Sequence, residues 1–274
     1  MIAFVPTFSH PLQMQGKDTE DMFVEMIPIL IIVLLYGLVI GSFLNVCIYR
    51  IPEEKTIVTE RSHCMSCGYQ LRWFDMIPVV SFVALHGKCR KCGAKISAQY
   101  PLVEALNGIL YVIVFLVNGV NWTSVVYCLL VSALIVLSVI DFRTYEIPFG
   151  INLFILVLGL IHTMLDYHNW LTYVIGLLAI SVPLELLLLI SKGRAIGGGD
   201  VKLMAAAGLL LGWKGIILAF VIGCIVGSVI HLIRIKVSNA SHVLALGPYL
   251  AVGIFAAALW GETMIAAYLN VLMG

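Results

Sequence analysis

The run Val24–Ile48, VEMIPILIIVLLYGLVIGSFLNVCI, decides the fold class. It holds one ionisable side chain, Glu25, and it exceeds the roughly 20 apolar residues a helix needs to cross a bilayer. It is too long for a signal-peptide core, and Asp18, Glu20 and Asp21 before it are the wrong flank for one. It reads as an anchor that stays. Comparable runs recur at 102–119, 122–140, 149–166, 170–191, 201–213, 215–233 and 244–260, with a last apolar piece at 263–273. The 201–213 run is short and rich in Ala and Gly, which suits close packing inside a bundle. Gly176 and Pro183 are expected to bend the 170–191 span.

Composition agrees. The chain has 274 residues, 61% of them apolar and 11% charged, with a mean hydropathy of +1.05. A soluble domain carries about 25% charged residues. A soluble globular enzyme, a disordered protein and a nucleic-acid binder acting through a basic field are all excluded, and the net charge of +1 implies no global steering. With eight alternating spans, fourteen of the sixteen Lys and Arg fall on one side, and only Lys17 and Lys214 fall opposite. By the positive-inside rule that side is the cytoplasm. The N-terminus is then outside. The expected fold is an all-α polytopic membrane protein of about eight transmembrane helices, with a small cytoplasmic zinc-binding domain between the first two. Its divisions are an extracytoplasmic segment 1–23, a first span 24–48, a cytoplasmic zinc-binding domain 49–101 and a membrane-embedded bundle 102–274.

The zinc expectation comes from Cys64-Met-Ser-Cys67 and Cys89-Arg-Lys-Cys92. Two CxxC pairs at this separation supply four thiolates for a closed tetrahedral structural site. Gly68 and Gly93 follow the pairs where the chain must turn back. Two disulfides are the rival reading, but cytoplasmic thiols stay reduced. His63 reads as a surface residue, and Cys47, Cys128 and Cys224 as small hydrophobes in spans.

Two carboxylates stand apart. Asp141 closes the third span in Val-Ile-Asp141-Phe-Arg-Thr-Tyr-Glu-Ile147-Pro148, and Asp200 opens the sixth in Gly197-Gly198-Gly199-Asp200-Val-Lys202-Leu. Two spans lie between them, so one out-and-back excursion returns both to the same face. An aspartyl protease needs two carboxylates sharing one proton. The three glycines are expected to permit positive φ and close approach of an extended substrate. Pro148 is expected to keep the Asp141 turn irregular. Glu104, after Tyr100-Pro101, is an ordinary helix-start acid that also faces the substrate side.

These residues resemble the type IV prepilin peptidase family. The resemblance rests on Gly41-Ser-Phe-Leu-Asn-Val, Tyr49-Arg50-Ile-Pro52, the CxxC pairs, Asp75-Met-Ile-Pro78, Gly87-Lys-Cys-Arg90, Tyr100-Pro-Leu-Val-Glu104, the Asp141 to Pro148 turn and Gly197 to Leu203, in order. A Gly247-Pro248-Tyr-Leu echoes a late motif, with Leu246 where Phe is usual. The resemblance implies catalytic Asp141 and Asp200 and structural Zn2+ on Cys64, Cys67, Cys89 and Cys92. It implies substrates that are type IV prepilins or pseudopilins of the bacterial cytoplasmic (inner) membrane. Their basic leader is removed after a Gly, and the new N-terminus is methylated from S-adenosylmethionine. Gly197, Gly198, Gly199 and Glu104 are expected to bind substrate. Membrane lipid is a partner and nucleic acid is not. A G-x-G-D protease without methylation and a proton-coupled transporter using the two Asp as relay groups are the alternatives.

Overall fold

The computed structural model describes residues 18–58, 61–238 and 244–273, and among these every regular element is helical. The α-helices are α1 Asp18–Arg50, α2 Val80–Ala84, α3 Gln99–Asn118, α4 Trp122–Thr144, α5 Phe149–Leu165, α6 Trp170–Ala179, α7 Ser181–Ser191, α8 Gly198–Ser238 and α9 Gly247–Met273. Of the expected N-terminal segment, 18–23 form the first turns of α1 and the rest lies outside the described residues. Six helical stretches are long and apolar enough to cross a membrane, and α5 is a shorter apolar helix.

As one rod α8 would be about 60 Å long, twice the hydrocarbon thickness. It is broken at Gly212, whose φ of 71 and ψ of 172 leave the helix in a region essentially reserved for glycine. Contacts on either side run in opposite senses. Over 198–211 the chain follows α5: Asn152 Nδ2 donates to the Gly199 carbonyl at 3.2 Å, and Thr163 Oγ1 to the Leu209 carbonyl at 3.4 Å. Beyond the break it runs against α9, with Gly227 on Tyr249, Gly223 on Leu250 and Ala219 on Gly253. The chain therefore reverses at Gly212. The expected spans 201–213 and 215–233 are two legs of a hairpin, and counted by direction the described chain makes eight passes.

The 170–191 span is broken at Ile180, between α6 and α7. Pro183 accounts for the break: it has no N–H for the Ala179 carbonyl four residues back, and its ring crowds that carbonyl, where α6 ends. Gly176 does not bend the span. Gly176 instead lies flat on Gly208 and Gly212 with no room for a Cβ. The same device joins α1 to α3, where a Cβ on Gly37 would lie 2.7 Å from Gly108 Cα and one on Gly41 2.7 Å from Glu104 Cα. In lipid no hydrophobic force separates helix from surroundings, so close backbone approach and hydrogen bonds supply the association. Asn107 Nδ2 donates to the Gly37 carbonyl at 2.7 Å, and Ser132 Oγ on α4 donates to Asn107 Oδ1 at 2.9 Å.

Leu137, Ile155, Leu203, Leu250 and Ile254 are completely covered, so the core lies between α4, α5, α8 and α9. Apolar on all sides, α4 is its central post. The segment between α1 and α3 stands at the end where Arg143 of α4 donates to Tyr49 Oη at 3.4 Å and to Gln99 Oε1.

Candidate active site

Asp141 lies one turn inside α4. Tyr145 ends that helix in the left-handed conformation (φ 56, ψ 28), and Pro148 precedes the first residue of α5. Asp141 is buried, and its Oδ2 accepts the Gly247 N–H at 2.9 Å. That donor opens α9, so a helix N-terminus with its partial positive charge points at the carboxylate. Asp200 occupies the first turn of α8, and Gly199 beside it packs on Ile147, in the corner that follows Asp141. The Asp200 Oδ1 is buried with no hydrogen-bond partner among the described residues. The structure thus brings both aspartates to one end of the bundle.

The glycines act differently from expectation. None of Gly197, Gly198 and Gly199 has positive φ. Space is what constrains them: a Cβ on Gly199 would lie 2.9 Å from Ile147 Cβ and one on Gly197 3.0 Å from Asp200 Oδ2. On Gly198 the nearest atom would be Leu188 Cδ1 at 3.7 Å, an ordinary contact. Gly199 lets the Asp200 turn pack against the α4–α5 corner, and Gly197 leaves room for the Asp200 carboxylate itself.

Cys64, Cys67, Cys89 and Cys92 bring four Sγ atoms within 4.8 Å of one another. The 3.9 Å between Cys64 and Cys92 Sγ fits the edge of a tetrahedron with Zn–S bonds of about 2.3 Å and is far too long for a disulfide. Each pair sits in a tight hairpin. Gly68 N–H returns to the Cys64 carbonyl and Gly93 N–H to the Cys89 carbonyl, both at 2.9 Å, with the two glycines at φ of 69 and 71. Backbone hydrogen bonds from Ser66 and Cys67 pull the Cys64 thiol down to about 6, while burial and its thiol neighbours push Cys92 up to about 11, so the four sulfurs titrate as one cluster. The residues present fit zinc.

Comparison with known proteins gives the same picture. Residues 35–118 match the family described as the bacterial peptidase A24 N-terminal domain, and 128–232 match the type IV leader peptidase family. A prepilin leader peptidase/N-methyltransferase of Aeromonas salmonicida is 32% identical, covering 88% of this chain and 94% of its own. The Pseudomonas aeruginosa protein of that name is 32% identical over 86% and 92%, and the Bacillus subtilis one 29% over 89% and 99%. The chain belongs to the type IV leader peptidase family. No solved structure gives a significant match.

Other polar residues of this leader peptidase family member hold its parts together, Glu104 within the first matched region and Arg143 between the first and the second. Glu104 is buried beneath the cysteine segment, where its Oε2 accepts the Val79 N–H at 2.7 Å. Arg143, two residues after Asp141, stacks its guanidinium 4.7 Å from the Tyr49 ring, which stacks on Tyr100 at 5.6 Å. Sequence reasoning missed Gly247 and Arg143. The Gly-Pro pair at 247–248 was the available signal for the first, since Pro at the start of a helix leaves the preceding N–H free.

Proposed function

We propose that this protein cleaves the basic leader from type IV prepilins or pseudopilins, after a Gly at the cytoplasmic membrane face, and then methylates the new N-terminal residue. The observation that carries the proteolytic half is the placement of Asp141 and Asp200 at one end of the bundle, Asp141 being buried with the Gly247 N–H on its carboxylate. The names of the relatives support both activities.

The asymmetry of the pair suggests roles. The Gly247 N–H and the α9 N-terminus stabilise negative charge on Asp141, which suits the base. Asp200, with Oδ1 unpartnered among the described residues, holds the shared proton. Asp141 takes a proton from water as the water oxygen bonds to the scissile carbonyl carbon, and Asp200 donates its own to the carbonyl oxygen. The C–N bond then breaks: the leaving amine takes the proton held by Asp141, and the new carboxyl returns one to Asp200. When bound, S-adenosylmethionine would supply the methyl group for the freed amine. Gly197, Gly198 and Gly199 line the approach for an extended substrate in this reading, whereas Glu104, buried and bonded to the Val79 N–H, serves the cysteine segment instead of the substrate. Zinc on Cys64, Cys67, Cys89 and Cys92 supplies closure of the 49–101 domain and no chemistry.

The same placement of charge supports an N-terminus outside and a cytoplasmic 49–101 segment in the bacterial inner membrane. A substrate's apolar helix then lies among the spans while its leader protrudes at the aspartates. The test is mass spectrometry of a prepilin-like peptide incubated with the purified protein and S-adenosylmethionine. Wild type should yield a product cut after the leader Gly and one methyl heavier. Asp141→Asn and Asp200→Asn should each abolish the cut. Cleavage without methylation removes the second activity, and full cleavage by either variant sinks the aspartyl mechanism.

A further inference from the structure

A cavity of about 990 Å³ opens between the end of α1 and the first cysteine loop. It lies on the side of α1 away from α3. Gly41 and Asn45 face α3, and Phe43, two residues from each, is turned about 200° from them and is 49% exposed. Phe43, Val46 and Arg50 form one wall, and Arg61, Arg72 and Trp73 belong to the other. Phe43 and Val46 lie within the apolar span that ends at Arg50. The cavity therefore straddles the boundary between hydrocarbon and water, where an exposed Trp is at home.

Among the described lining residues the charge is of one sign, with three arginines and no carboxylate. Asp75, behind the lining, is ion-paired with Arg90 Nε at 2.8 Å and accepts from the lining residues Tyr69 Oη and Arg72 N–H, both at 3.2 Å. Arg50 Nη1 donates to the Thr56 carbonyl at 3.1 Å, and the Arg72 guanidinium lies 5.9 Å from the Phe74 ring centre, so two of the three side chains are held toward the loop.

We propose that this cavity binds an anionic phospholipid, with the phosphate among Arg50, Arg61 and Arg72 and an acyl chain along Phe43 and Val46. Basic pockets at the ends of spans on the positive side of a membrane recognise such headgroups. Charge rejects the other candidates. A methyl donor bearing sulfonium, ammonium and one carboxylate is a net cation, and a basic leader is more so, which three guanidinium groups repel. A free phosphate would leave the apolar wall unused.

The test uses the full chain in a neutral detergent with mixed micelles holding equal phosphatidylglycerol and phosphatidylcholine, and counts retained lipid by native mass spectrometry. Wild type should keep phosphatidylglycerol in preference. Arg61→Gln with Arg72→Gln should lower that retention on the order of tenfold, while Arg61→Lys with Arg72→Lys should keep most of it and guard against a folding artefact. Lys192→Gln with Arg194→Gln removes the same charge from the same end of the bundle and should change little. Equal loss in that control pair would reduce the effect to diffuse attraction and overturn the site. So would a folded wild type without lipid preference, or displacement of the lipid by millimolar inorganic phosphate.

Discussion

A Cβ on Gly247 would lie 2.7 Å from Asp141 Oδ2 and 3.1 Å from Leu137 Cδ2. Leu137 is completely covered, so the carboxylate would have to move. A displacement of about 1 Å in a reacting group costs on the order of a hundredfold in rate. Gly247→Ala should therefore lower kcat for leader cleavage by about that factor, with thermal unfolding nearly unchanged, in a peptide-cleavage assay. Among the three glycines before Asp200, alanine at 197 or 199 should cut activity more than alanine at 198, because only the first two meet an atom at 3.0 Å or less. Asp75 gives a pH-dependent expectation. Burial opposes its ionisation, but hydrogen bonds from Arg90, the Arg72 N–H and Tyr69 outweigh it and hold the carboxyl below its usual range. Its contribution to stability is then full above the unfolded carboxylate value, about 3.9, and is lost as pH falls through the lower folded value. Amide exchange across 61–98 should be faster in Asp75→Asn than in wild type at pH 7, the difference shrinking in acid. At this scale the two aspartates were legible because an ionisable residue at a span edge stands out. Gly247 was not, because its partner is 106 residues away and a backbone N–H leaves no mark in composition.

Helix α8 shows what an apolar run discloses and what it conceals. The two runs meeting near Trp213 and Lys214 were readable as separate spans, because no bilayer accommodates a straight helix of 41 residues. Their reversal rests on one backbone conformation at Gly212, and a Cβ there would also lie 2.8 Å from Thr172 Cγ2. Gly212→Ala should destabilise the fold by about 1–3 kcal/mol, seen as a lower Tm in detergent. The break between α6 and α7 was legible in Pro183, because a proline disrupts the helix at the carbonyl four residues before it, while Gly176 proved to be a packing position and not a hinge. Arg143 had no sequence signature, because Tyr49, Gln99 and Arg143 come from three separate helices. As the clasp between the α1–α3 pair and the aspartate helix, it should govern how well the two halves stay in register. Arg143→Ala should lower the ratio of methylated to cleaved product, and Arg143→Lys, which keeps the charge over Tyr49, should restore part of it. An unchanged ratio would make the clasp a surface contact only.

For the whole molecule, the bundle and the cysteine segment are held together by different physics. The bundle rests on backbone contact at glycines and on buried hydrogen bonds. The segment has little core: Cys89 is the one buried apolar residue described between Ile51 and Ala98. Metal should therefore stabilise the segment far more than the bundle. Metal analysis should find one zinc per chain, lost in Cys64→Ser with Cys92→Ser. Chelation should raise amide exchange across 61–98 while α4 and α9 stay protected.

The hydrogen bond from Gly247 to Asp141 also sets an order of events during synthesis. A ribosome that has delivered α1 to α8 into the membrane has already made both aspartates, yet the N–H that holds Asp141 belongs to the helix still to come. In the proposed reading a half-made chain carries the chemical groups of a protease without their alignment. Its proteolytic competence begins only when α9 inserts, so a nascent chain is spared from cutting neighbouring membrane helices before its own assembly is finished.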